Sequence, residues 1–281
     1  SPYANRLIFL FLGGFLIASA MQRWNLHRRF ALLVLRRMGK NPRNLIAGFM
    51  GITAFISLWV SNTATAVMML PIAMSVLDQM EEADKNFAAC LMLGLAYASS
   101  IGGIGTLIGT PPNVMLAAFV KSQYGQTLSF HSWLIVGLPF VILFLPLTWL
   151  ILTRLVFPIP RSGMTARRNH FDSELKGLGP MGRPEWVVLV VFILAALLWT
   201  LRPLVARFLP VLAGLDDSGI AMLGALILFL VPSGDPNGKR ILDWGVASSL
   251  PWGVLLLFGG CLSLADAMEK TGVTHFIGTL M

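Results

Sequence analysis

The sequence predicts an all-α polytopic membrane protein, and three observations carry that prediction. The 281 residues are 56% apolar and 12% charged, with a mean hydropathy of +0.75. Several apolar runs are long enough for a hydrocarbon core of about 30 Å, which takes about 20 helical residues to cross. The runs do not alternate in segments of about ten residues, which argues against a transmembrane barrel. The formal net charge of +8 would suit a nucleic-acid partner in a soluble domain, but here the basic residues gather at the ends of apolar segments, where they report topology. Cys90 and Cys261 lie in apolar runs without CxxC spacing. The histidines His27, His131, His170 and His275 are scattered, so neither a disulfide framework nor a metal site is indicated.

Residues 7–21 are apolar and contain Gly13-Gly14, small enough for a neighbouring helix to approach closely. They read as a short transmembrane helix lengthened by Tyr3 and Trp24 at its interfaces. From Arg23 to Arg43 there are seven basic residues and no acidic one, so this stretch is cytoplasmic by the positive-inside rule. Within it Phe30, Leu33 and Val34 alternate with Arg29, Arg36 and Arg37 at roughly helical spacing. That pattern predicts an amphipathic helix in the headgroup plane, with a solvated basic loop as the alternative. No signal peptide is recognisable, and both chain ends are expected to be cut points within a longer protein.

Ser61-Asn62-Thr63 separates two apolar arms, residues 44–60 and 64–76. With 13 to 17 residues each, neither arm comfortably crosses the core. The triplet would sit at the midpoint of a single span, and Pro71 interrupts the second arm. The reading is therefore a re-entrant helical hairpin whose tip binds a polar solute. A Ser/Thr-rich helix-packing face is the alternative.

After a polar connection (Asp78, Glu81, Glu82, Asp84, Lys85), an outward crossing begins at Phe87 and meets SSIGGIGTLIGTPPN at residues 99–113. Four glycines and two prolines in twelve residues do not sustain a regular helix, so a helix broken at mid-membrane is expected. Unwound backbone at that depth needs protein or a polar cavity around it, and its freed carbonyls and amides can hold an ion. Gly105 and Gly109 as a GxxxG packing pair remain an alternative. A nucleotide loop fits poorly, because the spacing departs from GxGxxG and no βαβ context surrounds it.

Residues 130–157 form a long inward crossing with Pro139 and Pro146 as expected kinks, ending in a second basic cluster from Arg154 to Arg183. A polar stretch rich in Gly and Pro follows and reads as a linker between two halves. Residues 186–201 then lead out, 219–231 return, and 251–267 lead out again, with Asp266 read as interfacial.

LFLGGFLIASAMQRWNL at residues 10–26 is echoed by LLFGGCLSLADAMEKTGV at residues 256–273 with one residue of slippage. If the hairpin makes no crossing, the first copy runs inward and the second outward. Charge bias and repeat parity thus both favour the hairpin, in the inverted-repeat plan common among transporters. Ser61 follows Met21 by forty residues, and the same offset from Met268 falls beyond Met281, where a second hairpin is expected.

SNTATAVMMLPIA at residues 61–73 and the GTPPN-containing segment at 99–113 resemble the divalent anion:sodium symporter family, whose members carry di- and tricarboxylates or sulfate. The likeness extends through PYANRLIFLFLGGF and LLFGGCLSLADAMEKTG, and so over nearly the whole chain. It implies an inverted-repeat elevator fold, incomplete here, in a homodimer embedded in the lipid bilayer of a bacterial plasma membrane. By this likeness residues 1–43 are a scaffold helix and the interfacial helix. Residues 44–157 are part of the transport domain, comprising hairpin 44–78, broken helix 87–120 and helix 130–157. Residues 158–185 are the cytoplasmic linker, and 186–281 are scaffold helices with the start of the second repeat.

The resemblance further implies a Na+ site at Ser57, Ser61 and Asn62 with loop carbonyls around Gly105 and Gly109. It places substrate contacts at Ser61, Asn62, Thr63, Thr110 and Pro111. It implies a dicarboxylate of the succinate, malate or citrate class as the substrate, Na+ as coupling ion, no other cofactor, no nucleic acid and no enzymatic activity. The chemistry agrees, since a hard cation is served by hydroxyl, carboxamide and backbone oxygens. A sodium-independent anion exchanger or sulfate transporter on the same fold, and a non-transporting membrane scaffold, are the alternatives.

Overall fold

A computed structural model describes residues 5–38, 41–78, 85–159, 168–208, 214–234 and 239–272. The acidic connection at Glu81, Glu82 and Asp84, the basic residues Lys40, Arg161 and Arg167, His275, and the close of the second repeat copy at Val273 lie outside the described residues. Among the described residues the regular structure is helical, apart from one isolated bridge between Pro232 and Arg240, with turns and irregular segments between the helices. The first half comprises α1 (Arg6–Arg23), α2 (Leu26–Leu35), α3 (Pro42–Ser57), α4 (Asn62–Leu77), α5 (Lys85–Ile104) and α6 (Pro111–Tyr124). Next come α7 (Phe130–Ile151), extended by a π-helical turn (Leu152–Val156), then α8 (Arg168–Gly177), α9 (Arg183–Thr200) and α10 (Arg202–Phe208). The last are α11 (Asp217–Leu230), α12 (Trp244–Ser248) and α13 (Trp252–Lys270). Among the described residues α1, α5, α7 with its extension and α9 are long and apolar enough to cross a membrane.

Two apolar cores organise these helices. The first is built on α1, α9 and α11. Arg6 pairs with Asp216 (3.5 Å) where α1 and α11 begin, and Trp24 Nε1 donates to the Ile241 carbonyl (3.1 Å) beyond their far ends, so the two helices run parallel. A Cβ on Gly13 would lie 2.6 Å from the Ala221 backbone, and only glycine permits that approach. Trp199, late in α9, donates to the Asp217 carbonyl at the start of α11 (3.0 Å), so α9 runs the opposite way. These directions agree with the crossings read from charge bias. α13 departs near Asp243, which Arg23 holds at the end of α1 (2.7 Å), and Phe258 stacks on Phe11. The two repeat copies therefore run in opposite directions.

The second core joins α3, α4, α5 and α7. Gly94 faces Ile46 and Met50, and Gly102 faces Ala54, so α3 and α5 are parallel. α4 starts beside Gly103, near the end of α5. Had α4 continued along α3, its end would lie about 50 Å from the start of α5, and the seven residues to Lys85 span at most about 25 Å. α4 therefore folds back, and α3–α4 is a helical hairpin with its tip at residues 58–61. Each arm has 16 residues, about 24 Å of helix.

Several expectations differ in detail. Pro71 does not interrupt the second arm, because α4 continues through it. Both Pro71 and Val67, whose carbonyl lacks the usual i+4 donor there, lie on the exposed side of the helix. Gly102 and Gly103 remain helical in α5, since packing on α3 and Asn62 outweighs their poor propensity. Only residues 105–110 leave the helix, and Pro111-Pro112 occupy the first two positions of α6, where a missing N–H costs nothing. Gly105 and Gly109 are thus not a helical GxxxG pair.

The interval 158–185 is not a bare linker, for it contains α8, held to α2 by Arg36–Asp172 (2.8 Å) and Arg28–Glu174. α2 does not turn all its arginines to water. Arg29 is buried and donates to both carboxylate oxygens of Glu185 and to the carbonyls of Leu178 and Gly179, while Leu26, Ala31, Leu32 and Leu35 are buried in protein. Phe30, Leu33 and Val34, expected to form the apolar face, are only half-buried.

Candidate cation and anion site at the hairpin tip

Four helix ends meet at one place. α3 and α5 end there, presenting carbonyls, and α4 and α6 begin there, presenting N–H groups. The partial charges at such ends favour a cation near the first pair and an anion near the second. No Asp, Glu, Lys or Arg occurs in residues 44–77 or 86–120, so uncharged groups must do the binding.

Ser57 closes α3 and is fully buried. Its Oγ lies 2.6 Å from the Ser99 carbonyl and 3.0 Å from Asn62 Oδ1. One hydroxyl proton faces two acceptors. When it is given to Ser99, Ser57 Oγ and Asn62 Oδ1 turn bare lone pairs toward each other, and a small cation is the natural bridge between them. Asn62 is held there by close packing, because a Cβ on Gly103 would lie 2.0 Å from its Oδ1. Gly109 comes into the same group, since a Cβ there would lie 2.5 Å from the Gly103 carbonyl oxygen and 3.0 Å from that of Ser57.

Of the residues expected to hold Na+, the structure brings together Ser57, Asn62 and Gly109. Ser61, half-buried, precedes α4, and its hydroxyl does not cap that helix. Gly105 stands apart: its position faces Leu58 and Val141, and its carbonyl lies against Gly137 of α7. Among the expected anion contacts, Thr63 is exposed on the first turn of α4. Thr110 and Pro111, both half-buried, open α6. The first ladder bond of α4 runs from Thr65 N to the Ser61 carbonyl (2.9 Å), leaving the amides of Asn62, Thr63 and Ala64 outside the ladder. α6 has less to offer, because Pro111 and Pro112 carry no N–H.

The sequence pattern does not mark Thr106 and Asn113 as site residues, yet both are buried at the break. The Thr106 hydroxyl donates to the Leu58 carbonyl, and Asn113 Nδ2 donates to the carbonyls of Gly103 (2.8 Å) and Thr106 (2.7 Å). Their one sequence signal is their place, a Thr and an Asn bracketing the loop within the quoted motif. Trp59, at the tip, packs against both cores and lies against Phe130, Phe192 and Trp199 at centroid distances of 6.0, 4.9 and 6.3 Å.

A pocket elsewhere is lined by Arg6, Lys121, Arg202, Asp216 and Asp217. It is a weaker anion site, because Arg6 and Arg202 already pair with Asp216 (3.5 Å) and Asp217 (3.0 Å).

The family model described as the sodium:sulfate symporter transmembrane region matches residues 1–281. The chain belongs to that family. Two similar relatives, from Staphylococcus saprophyticus and Staphylococcus aureus, are both named sodium-dependent dicarboxylate transporter SdcS. Each is 40% identical over 288 residues, which covers 99% of this chain and 56% and 55% of the respective relative. The chain thus spans about half the length of the curated relatives it matches. Family membership and the apolar helices make it part of an integral membrane protein. The family resemblance drawn from the two motifs is borne out.

Proposed function

We propose that this chain forms part of a secondary active transporter that couples Na+ entry to uptake of a di- or tricarboxylate across a bacterial plasma membrane. The observation that carries the proposal is the uncharged oxygen cluster of Ser57 and Asn62 where hairpin tip and broken helix meet. The relatives named as sodium-dependent dicarboxylate transporters support the choice of ion and substrate class. The chain acts as a carrier rather than an enzyme.

In the mechanism, Na+ is taken up by Ser57 Oγ and Asn62 Oδ1 while the Ser57 hydroxyl donates its hydrogen bond to the Ser99 carbonyl. The bound ion supplies the positive charge that the surrounding sequence lacks. A substrate carboxylate then docks on the free amides at the start of α4 and on Thr63, with Thr110 and Pro111 on the loop side. Cation binding accordingly precedes anion binding. The hairpin is re-entrant in the membrane, and the second core moves against the α1–α9–α11 scaffold as an elevator, with Trp59 at the junction. A second, inverted hairpin completes the substrate site, and two copies of the intact protein form a homodimer.

Labelled succinate uptake into proteoliposomes of the intact protein tests this proposal. Uptake should require an inward Na+ gradient, and equal uptake in choline or potassium buffer would refute the coupling. The family's description favours sulfate as a second candidate substrate. Competition of succinate uptake by sulfate, compared with competition by malate, decides between them.

A further inference from the structure

The break in the α5–α6 helix leaves backbone groups without their usual partners, and each must be accommodated inside the protein. Two side chains do most of this work. The fully buried Thr106 hydroxyl donates to the Leu58 carbonyl on the hairpin tip and accepts from the Gly109 N–H (3.1 Å). Asn113, in the first turn of α6, uses both hydrogens of its amide, one on the Gly103 carbonyl at the end of α5 (2.8 Å) and one on the Thr106 carbonyl (2.7 Å). Trp133 of α7 takes the Ile104 carbonyl (2.9 Å).

These bonds decide which oxygens remain for a ligand. The carbonyls of Leu58, Gly103, Ile104 and Thr106 are occupied. The Ser57 carbonyl lies beside Gly109, and the single Ser57 hydroxyl hydrogen faces two acceptors, Asn62 Oδ1 and the Ser99 carbonyl. Thr106 is also the one side-chain hydrogen bond shown from the loop at residues 105–110 to the tip at residues 58–61, among the described residues. Without it, the distance between Gly109 and Ser57 rests on packing alone.

We infer that Thr106, braced by Asn113, is a positioning residue that sets the Na+ affinity of the tip by pinning the broken loop to the Leu58 carbonyl. It does not touch the ion. It fixes the separation of the loop from Ser57 and Asn62 and keeps the Leu58 carbonyl occupied, while Asn113 occupies those of Gly103 and Thr106. The inference rests on the sodium reading proposed above, and names the residue that tunes that site.

The test is thermal unfolding of the intact, detergent-purified protein without substrate. Na+ is titrated against choline at constant ionic strength. Wild type should gain stability along a saturable Na+ curve. Thr106→Val keeps the shape and loses both hydroxyl bonds, and should move the midpoint of that curve to about tenfold higher Na+. Thr106→Ser keeps the hydroxyl and should stay within about twofold of wild type. A merely structural role would lower the melting temperature of Thr106→Val at every Na+ concentration and leave its midpoint in place, which would overturn the inference. Equal displacement in the Val and Ser variants would also overturn it, because the methyl environment rather than the hydroxyl would then be responsible. A wild-type protein with no Na+-dependent stabilisation would sink the sodium reading itself, and the two failures are thus distinct. If Thr106→Val is not recovered folded, Asn113→Ala carries the same test, and an unchanged midpoint in that variant overturns the inference.

Discussion

The ends of the bundle and the hairpin tip solve the same problem, holding polar groups in an apolar protein, in opposite ways. At the ends, charge meets charge: Arg23 with Asp243, Arg29 with Glu185, Arg36 with Asp172, and Arg202 with Asp217. At the tip there is no formal charge. Ser57, Asn62, Thr106 and Asn113 hold backbone carbonyls and one another, and glycine lets them approach. A permanent ion pair at the tip would fill the site with its own counter-charge. Neutral oxygens leave room for a charge that arrives and departs, as the proposed transport would require.

Substitutions at the two regions should therefore have different signatures. Asn62→Ala removes one of the two facing oxygens and should abolish Na+-driven succinate uptake while the protein still inserts and purifies; a non-transporting scaffold would show no change. Gly103→Ala places a Cβ 2.0 Å from Asn62 Oδ1 and should eliminate most uptake, with a stability loss of about 1–3 kcal/mol from overpacking. Arg29→Ala leaves the buried Glu185 carboxylate without its cation. It should cost about 3–5 kcal/mol in thermal or denaturant unfolding, yet leave the Na+ midpoint of the surviving protein unchanged.

The pH response belongs to the basic end of the bundle, at the start of α2. Burial lowers the His27 pKa below its ordinary 6.5, opposed by the hydrogen bond with the Met21 carbonyl and aided by Arg28. Because the folded-state pKa lies below the unfolded one, stability is fully present above about pH 6.5 and declines as the pH falls toward the folded value. His27→Gln should flatten that decline in melting temperature between pH 7 and pH 5. The smallest effect is expected at the exposed Arg6–Asp216 pair, where Arg6→Gln should change stability by less than about 1 kcal/mol.

The contrast between regions also explains what could be read in the sequence. The polar triplet between two short arms and the Gly/Pro-rich break were legible because membrane interiors tolerate such segments only for a reason, and both proved to lie at one place. Helix directions were legible from the basic clusters. Pro71 misled because the cost of a missing N–H depends on where the orphaned carbonyl points, which has no sequence signature. Gly102 and Gly103 misled for a related reason, since close packing on α3 and Asn62 overrides propensity. Arg29 could not be told from its basic neighbours, as its partner Glu185 stands 156 residues away. Thr106 and Asn113 sat in plain view within the motif, but assigning them needs the positions of four carbonyls that only the folded chain brings together.

The cation should be held by the uncharged tip and not by the charged ends. Calorimetric titration of Na+ into the intact, substrate-free protein measures this most directly, with wild type, Asn62→Ala and Arg202→Gln side by side. Saturable Na+ binding should be present in wild type and Arg202→Gln and lost or strongly weakened in Asn62→Ala. Unaltered Na+ binding in Asn62→Ala, or its loss in Arg202→Gln alone, would contradict the account.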